Sequence, residues 1–341
     1  ESLYALQQVN VTLYFYDEKT NQLSPEIRPM TKWSESNLPQ YVIREMIDGP
    51  KTSGSKPVIS PDVKINRVDY TEDILTVDLS AEFMKSGDLT IARAALVNSL
   101  LDLGMFRYVK LYVDGKEATM TTEDSNAVLG LLTRYPNNVP DMKAYEAQNA
   151  EGAEFCKINR ELYFQDNQGM YLLPEVRSVT VTDGKYAEAI ANELIKGPVA
   201  PDEGYYPTLP KGTVLRKSER IDGKDGAKGV GLYFSKEIQT KFTGGSPQEI
   251  AMLSSLVYSL TSLPDINFVR IYYENEGGRY IEKPIHKIPL NQDLTMDHFP
   301  NMIGKRIRIY FGDQQGMLLV PEYRAISRDG EDVASRILSE L

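Results

Sequence analysis

Between residues 11 and 16 the apolar Val11, Leu13 and Phe15 alternate with Thr12, Tyr14 and Tyr16, and Ile307, Ile309 and Phe311 alternate in the same way with Arg308 and Tyr310. A two-residue period is the mark of a half-buried strand, so Phe15, Phe164 and Phe311 are expected core residues. After turns such as "DNQGM" and "DQQGM" a second strand follows. In it Leu23, Pro25 and Ile27 share one side and Glu26 and Arg28 the other. Its proline confines that strand to a sheet edge.

Elsewhere the period lengthens. Ala92, Leu96, Leu100 and Leu103, and again Leu253, Leu256, Leu260 and Leu263, fall at three- and four-residue steps, which predicts two helices with one buried stripe each. Ser246, Pro247 and Glu249 read as N-cap, first helical position and capping-box acid of the second of these. "REMIDGP" and "NELIKGP" read as helix ends stopped by Gly-Pro. Two strands, "KINRVDY" and "ILTVDLS", joined by "TED", precede the Ala/Leu-rich helix.

These elements recur. Tyr14, Phe15, Asp17, Pro25, Glu26 and Arg28 match Tyr163, Phe164, Asp166, Pro174, Glu175 and Arg177, and then Tyr310, Phe311, Asp313, Pro321, Glu322 and Arg324. In all three copies seven residues separate the Asp from the Pro. Self-similarity of this kind fixes the architecture before any other feature. "LVNSLLDL" meets "LVYSLTSL" and "VKLYV" meets "VRIYY", while the third copy ends within its first helix, where Ile337, Glu340 and Leu341 match Ile190, Glu193 and Leu194.

The expected organisation is a first domain over 8–120, a linker over 121–156, a second domain over 157–284 with an inserted loop near 199–229, a linker over 285–303, and the first half of a third repeat over 304–341. Each full repeat reads as hairpin, helix, two strands, helix, strand. That order predicts an α+β fold: a small, mostly antiparallel sheet with two helices on one face.

The charge balance narrows the function classes. With 38 Lys and Arg against 48 Asp and Glu, the formal net charge is -10, which argues against a nucleic-acid binder or a surface held to anionic lipid by charge. One cysteine, Cys156, leaves no internal disulfide and no cysteine-based zinc site, and reads as a buried inert thiol. No run of roughly 18 to 20 apolar residues is present that would span a bilayer. The chain opens on Glu1, which reads as a processed or engineered fragment and leaves room for a removed export signal.

The order of "YFYD", the Pro-Glu-x-Arg strand, a helix ending "DGP", "LTVDLS", an Ala/Leu-rich helix and "VKLYVDGK" resembles the GerM-type domain of sporulation and spore-germination proteins. The resemblance covers about 11 to 118 and 159 to 283, with a half copy from 304. It implies a ring-building type of α/β module and export across the cytoplasmic membrane, with any membrane attachment through a lipid anchor outside this chain. It also implies assembly with envelope proteins or other ring-building domains around the developing spore. Repeat two departs from it, with "GVGLYFS" where repeat one has "ILTVDLS".

Candidate chemistry is sparse. His286 and His298 are the two histidines; both lie in the second linker, without the spacing of a helical metal site, and no Gly-x-Ser-x-Gly elbow is present. No catalytic residue, metal or cofactor is expected. Asp17, Asp166 and Asp313 read as turn residues that bond nearby amides. The pairs Glu26 and Arg28, Glu175 and Arg177, and Glu322 and Arg324 read as a charged edge that discourages stray sheet pairing, or, more sharply, as arginines that bind a partner's carboxylate. Tyr14, Tyr112, Tyr272 and Tyr273 are expected at the solvent edge of the sheets. Tyr205 and Tyr206, in the irregular "EGYYPTLP", are the expected binding loop. The function read from this set is non-enzymatic assembly in the spore or cell envelope. The alternative is a binding module for cell-wall glycan or peptide, with peptidoglycan as the partner.

Overall fold

The computed structural model describes residues 7–32, 38–71, 73–119, 129–147, 155–223, 226–263, 266–312 and 319–327. The chain divides into two units, Glu1–Ile158 and Asn159–Leu341.

Unit one opens on a hairpin of β1 (Gln7–Asp17) and β2 (Gln22–Lys32), antiparallel in unbroken register with Tyr14 opposite Pro25. Asp17 forms the expected turn, its carboxylate accepting the Lys19 amide at 2.9 Å. Next come α1 (Leu38–Ile47), and β3 (Ser55–Lys56), which pairs with β1. A second sheet is built from β4 (Ile65–Thr71), β5 (Ile74–Leu79), β6 (Tyr108–Val113) and β7 (Lys116–Glu117). Its β5 and β6 run parallel, because α2 (Leu89–Leu101) makes the crossover between them. Asp88 caps α2, accepting the amides of Thr90 and Ile91. The linker adds β8 (Leu131–Leu132) beside β6 and then α3 (Val139–Ala147).

Instead of one buried stripe, α2 is buried all round from Ile91 to Leu100. The hairpin accounts for this by packing along the helix: the Tyr14 amide donates to Ser99 Oγ at 2.9 Å. Small residues Ala94, Ala95 and Ser99 make the close approach possible. Tyr14, expected at a solvent edge, is therefore buried, and its hydroxyl donates to Asp102 at 2.8 Å. The unit's apolar core joins Leu13 and Phe15 of the hairpin, Ile43 and Met46 of α1, and Leu75 and Val77 of β5 around this helix.

Unit two repeats the plan. β9 (Phe155–Gln165) and β10 (Leu172–Thr182) form its hairpin, and α4 (Tyr186–Lys196) follows. β11 (Leu215–Asp222), β12 (Lys228–Phe234), β13 (Phe268–Glu274) and β14 (Tyr280–Ile281) repeat the second sheet. Between β12 and β13 lie α5 (Glu237–Thr240) and α6 (Ser246–Leu260). The Tyr163 amide donates to Ser259 Oγ at 3.1 Å, the counterpart of the Tyr14 and Ser99 contact. Tyr273 is buried like Tyr14, whereas Tyr112 and Tyr272 are half-buried.

The stretch expected as an inserted loop, 199–229, carries β11, the equivalent of β4 down to its bulge after the first residue. The extra length of repeat two is shared among the turn at Pro201–Glu203, the β11 to β12 connection and the approach to α6. A third hairpin, β15 (Gly304–Gly312) and β16 (Leu319–Ser327), closes the description. Asp313, Ile337, Glu340 and Leu341 lie outside the described residues.

Candidate functional site

The repeated Glu-x-Arg motif was expected on an open strand edge. The structure places it inward in the two full repeats. Glu26 stands opposite Leu13 and Arg28 opposite Val11, so both share the helix-facing side with Phe15, and Arg28 is 4% exposed. The residue left outside is Ile27, at 68%.

Arg28 makes four hydrogen bonds and one further ion-pair contact within the repeat. Nε and one Nη reach Glu26 at 2.7 and 2.6 Å. The other Nη reaches the Glu45 carboxylate at 2.6 Å and the Glu45 carbonyl at 3.1 Å, and the Gly49 carbonyl accepts at 2.7 Å. Glu26 in turn accepts the amides of Lys51 and Thr52 at 3.1 and 2.9 Å. The pair thus clasps the end of α1 and the turn behind it, filling orphan carbonyls that a helix terminus leaves unsatisfied. Gly49 sits at φ 87°, a conformation that a Cβ would strain, and this turns its carbonyl toward the guanidinium.

Repeat two builds the same clasp from Arg177 and Glu175. Arg177 donates to Glu175 at 2.9 and 2.7 Å, to the carboxylate and carbonyl of Glu193, and to the Gly197 carbonyl. Glu175 accepts the amides of Val199 and Ala200, each at 3.0 Å. In the third hairpin Arg324 pairs with Glu322, while the segment that would form the matching helix lies outside the described residues.

Burial works against the Glu26 anion, but hydrogen bonds from Thr52, Arg28 and Lys51 outweigh it and hold the carboxyl at about 2. Such a group is kept ionised as a structural anion. It is poorly placed to take or give protons near neutrality.

Tyr205 and Tyr206 part company. Tyr205 is buried, its hydroxyl donating to the Pro174 carbonyl at 3.2 Å, and the Arg306 guanidinium lies 5.1 Å over its ring. Arg306 also pairs with Glu203 and covers Tyr323, so this loop seats the third hairpin on repeat two. Tyr206 is exposed, and its backbone amide donates to Gln165.

Both linkers are pinned by buried charges that sequence reasoning missed. Arg93 on α2 makes a bidentate pair with Glu146 of α3, both contacts at 2.7 Å, and Tyr135 and Thr90 also donate to Glu146. Burial, then the neighbouring Glu146, pushes the Tyr135 phenol well above its usual range. On α6, Glu249 is fully buried and accepts the amides of His286, Lys287 and Ile288 at 2.7, 2.8 and 3.1 Å. It was expected to close a capping box with Ser246. The cap falls one residue earlier, where Gln248 Oε1 accepts the Gly245 amide. An arginine within "IARAAL" and an acid within "EIAML" were the available signals.

The second linker also covers an apolar cavity of about 330 Å³ lined by Ile250, Ile288, His298, Phe299, Pro300 and Met302. His298 Nδ1 accepts the Thr295 amide at 3.2 Å, so this ring caps the short turn Met296–His298. Among the described residues no three His, Cys, Asp or Glu side chains gather as a metal site, and no helix is long and apolar enough to cross a membrane.

The tandem GerMN domains of the sporulation protein GerM from Bacillus subtilis are 20% identical over 84% of this chain and 97% of that one, with a TM-score of 0.30. The first GerMN domain of the same protein is 18% identical over 33% of this chain and 90% of that one, with a TM-score of 0.28. No curated protein matches the chain. The family model for sporulation and spore germination, Germane, matches residues 12–119 and 161–277, the two full repeats. The chain belongs to the Germane family of sporulation and spore-germination domains.

Proposed function

We propose that this chain is a non-enzymatic interaction protein of sporulation, exported and held at the cell envelope, where its tandem domains join envelope proteins or other ring-building domains. The observation that carries this reading is how the recurring polar residues are used. Glu26, Arg28, Glu175 and Arg177 bond to their own helix ends and turns, so what has been duplicated is a scaffold. A duplicated scaffold that keeps its polar set for folding offers its surfaces to partners.

A wall-glycan or wall-peptide module is the second reading, and it looks to the tyrosines of the outer sheet face. There Tyr233 stacks on Tyr272 at 4.5 Å, and Lys217 Nζ lies 3.9 Å over the Tyr233 ring. Neighbours therefore occupy ring faces that a sugar would need, which favours the assembly reading.

The test is crosslinking of the chain in sporulating cells, with fractionation of the envelope. Recovery of specific envelope proteins is expected. Cytoplasmic retention, or saturable binding of peptidoglycan fragments with no protein partner, would overturn the proposal.

A further inference from the structure

The strand edges of this molecule are guarded unequally. β4 and β11 carry a bulge each and the charges Arg67, Asp69, Lys217, Glu219 and Arg220. β2 carries two prolines, Pro25 and Pro29. Bulges, charges and prolines are the usual devices that stop an edge from pairing with another chain. β10 has one proline, Pro174, and from Ser178 to Thr182 it reads Ser-Val-Thr-Val-Thr, without charge or proline.

The backbone polarity of that edge follows from the contacts at its start. The Leu172 amide points away from β9 and donates to the Met302 carbonyl at 2.7 Å, so even-numbered residues of β10 face outward. Pro174 falls on this row and so costs the hairpin no ladder bond. Beyond Leu172, among the described residues, nothing accepts the outward amides of Val176, Ser178 and Thr180. The side chains of Ser178, Thr180 and Thr182 are exposed. In repeat one the position of Ser178 is held by Pro29, which removes an outward amide from the corresponding edge. The two repeats thus differ at one edge, and the difference opens it in repeat two.

Beside the open edge runs a polar groove of about 370 Å³ between β10 and α4, lined among others by Thr180, Thr182, Lys185, Glu188, Asn192 and Lys196. Its rim carries both signs of charge. A strand with strong charge of one sign would meet repulsion there, whereas a second copy of this edge brings neutral hydroxyls and the same mixed rim.

We propose that the β10 edge pairs antiparallel with the β10 edge of a second copy of this chain. With Thr180 on the two-fold axis, Ser178 faces Thr182 of the second copy and about six backbone hydrogen bonds form. Thr opposite Thr is a favourable cross-strand pair. The contact is small and gives a concentration-dependent dimer, not a permanent one. This inference does not rest on the envelope reading: either can fail while the other stands.

Sedimentation velocity of the chain and of two variants tests it. Ser178→Pro copies what repeat one already has and removes no bond to β9; Thr180→Lys places like charges across the axis. The expected result is a dimer whose dissociation constant rises about tenfold or more in each variant, with circular dichroism unchanged. Should Ser178→Pro disturb folding, Thr180→Lys carries the test, since its side chain is exposed. A chain that stays monomeric up to about 1 mM, or a dimer that both folded variants leave intact, overturns the proposal.

Discussion

The second helices of the two repeats, α2 and α6, hold their following linkers by opposite chemistry. α2 offers a buried cation, Arg93, to a carboxylate on the linker helix; α6 offers a buried anion, Glu249, to three linker amides. By contrast the hairpin clasp is the same in both repeats, down to the glycine carbonyl that receives the guanidinium. The difference teaches which parts of the scaffold are interchangeable. The clasp closes each repeat on itself, so it must match the fold that repeats. The linker anchor need only match the linker it holds, and the linkers differ.

The largest effect should come from the anchor made of two full charges. Arg93→Ala leaves Glu146 buried without its counter-ion, and a loss of about 3 to 5 kcal/mol is expected, confined to unit one. Hydrogen exchange resolved by unit checks this: α2 and α3 should lose protection while α6 keeps it. Equal loss in both units would mean that the two anchors are not independent.

Next come the clasps. Arg28→Ala and Arg177→Ala should each cost about 3 kcal/mol, since each strands a buried glutamate and two carbonyls. Chemical denaturation followed by unit-specific exchange should give similar losses. Glu249→Gln should cost less, about 1 to 2 kcal/mol, because the amide oxygen still accepts from the linker though without charge. A loss in Glu249→Gln as large as in Arg93→Ala would erase the distinction between the anchors.

The last effect, comparable to that of Glu249→Gln, is on acid stability. The folded pKa of Glu26, about 2, lies below the ordinary 4.5, so its contribution is present above pH 4.5 and is lost as pH falls toward 2. About 2 kcal/mol of unit-one stability should disappear over that window once solvent screening is counted. Glu26→Gln should flatten this part of the profile, and an unchanged slope would show the acid loss to come from other groups.

Much of this was legible in the sequence. The alternation in Val11, Leu13 and Phe15 gave the hairpin, the three-and-four spacing of Leu96 and Leu100 gave the crossover helix, and the triple motif gave the repeats. The motif spacing also showed that Glu26 and Arg28 share a side. It did not show which side, because a two-residue period separates faces without saying which faces the core. Charge suggested solvent, and the helix end that needs donors lies some twenty residues further along the chain. Tyr205 is buried for a related reason: its loop is irregular, and the Arg306 that covers it comes from the third hairpin. The buried anchors escaped because each partner sits in a linker, where no periodicity points to it.

Whether Glu-x-Arg is a clasp is decided by amide exchange in Arg28→Lys and Arg177→Lys. Lysine keeps the charge but cannot serve the Glu26 carboxylate and the carbonyls of Glu45 and Gly49 together. Faster exchange is expected at Lys51 and Thr52 in the first variant and at Val199 and Ala200 in the second, each with its unit destabilised. Unchanged exchange in both variants, together with lost capture of an envelope partner, would contradict the clasp and make these arginines a binding site instead.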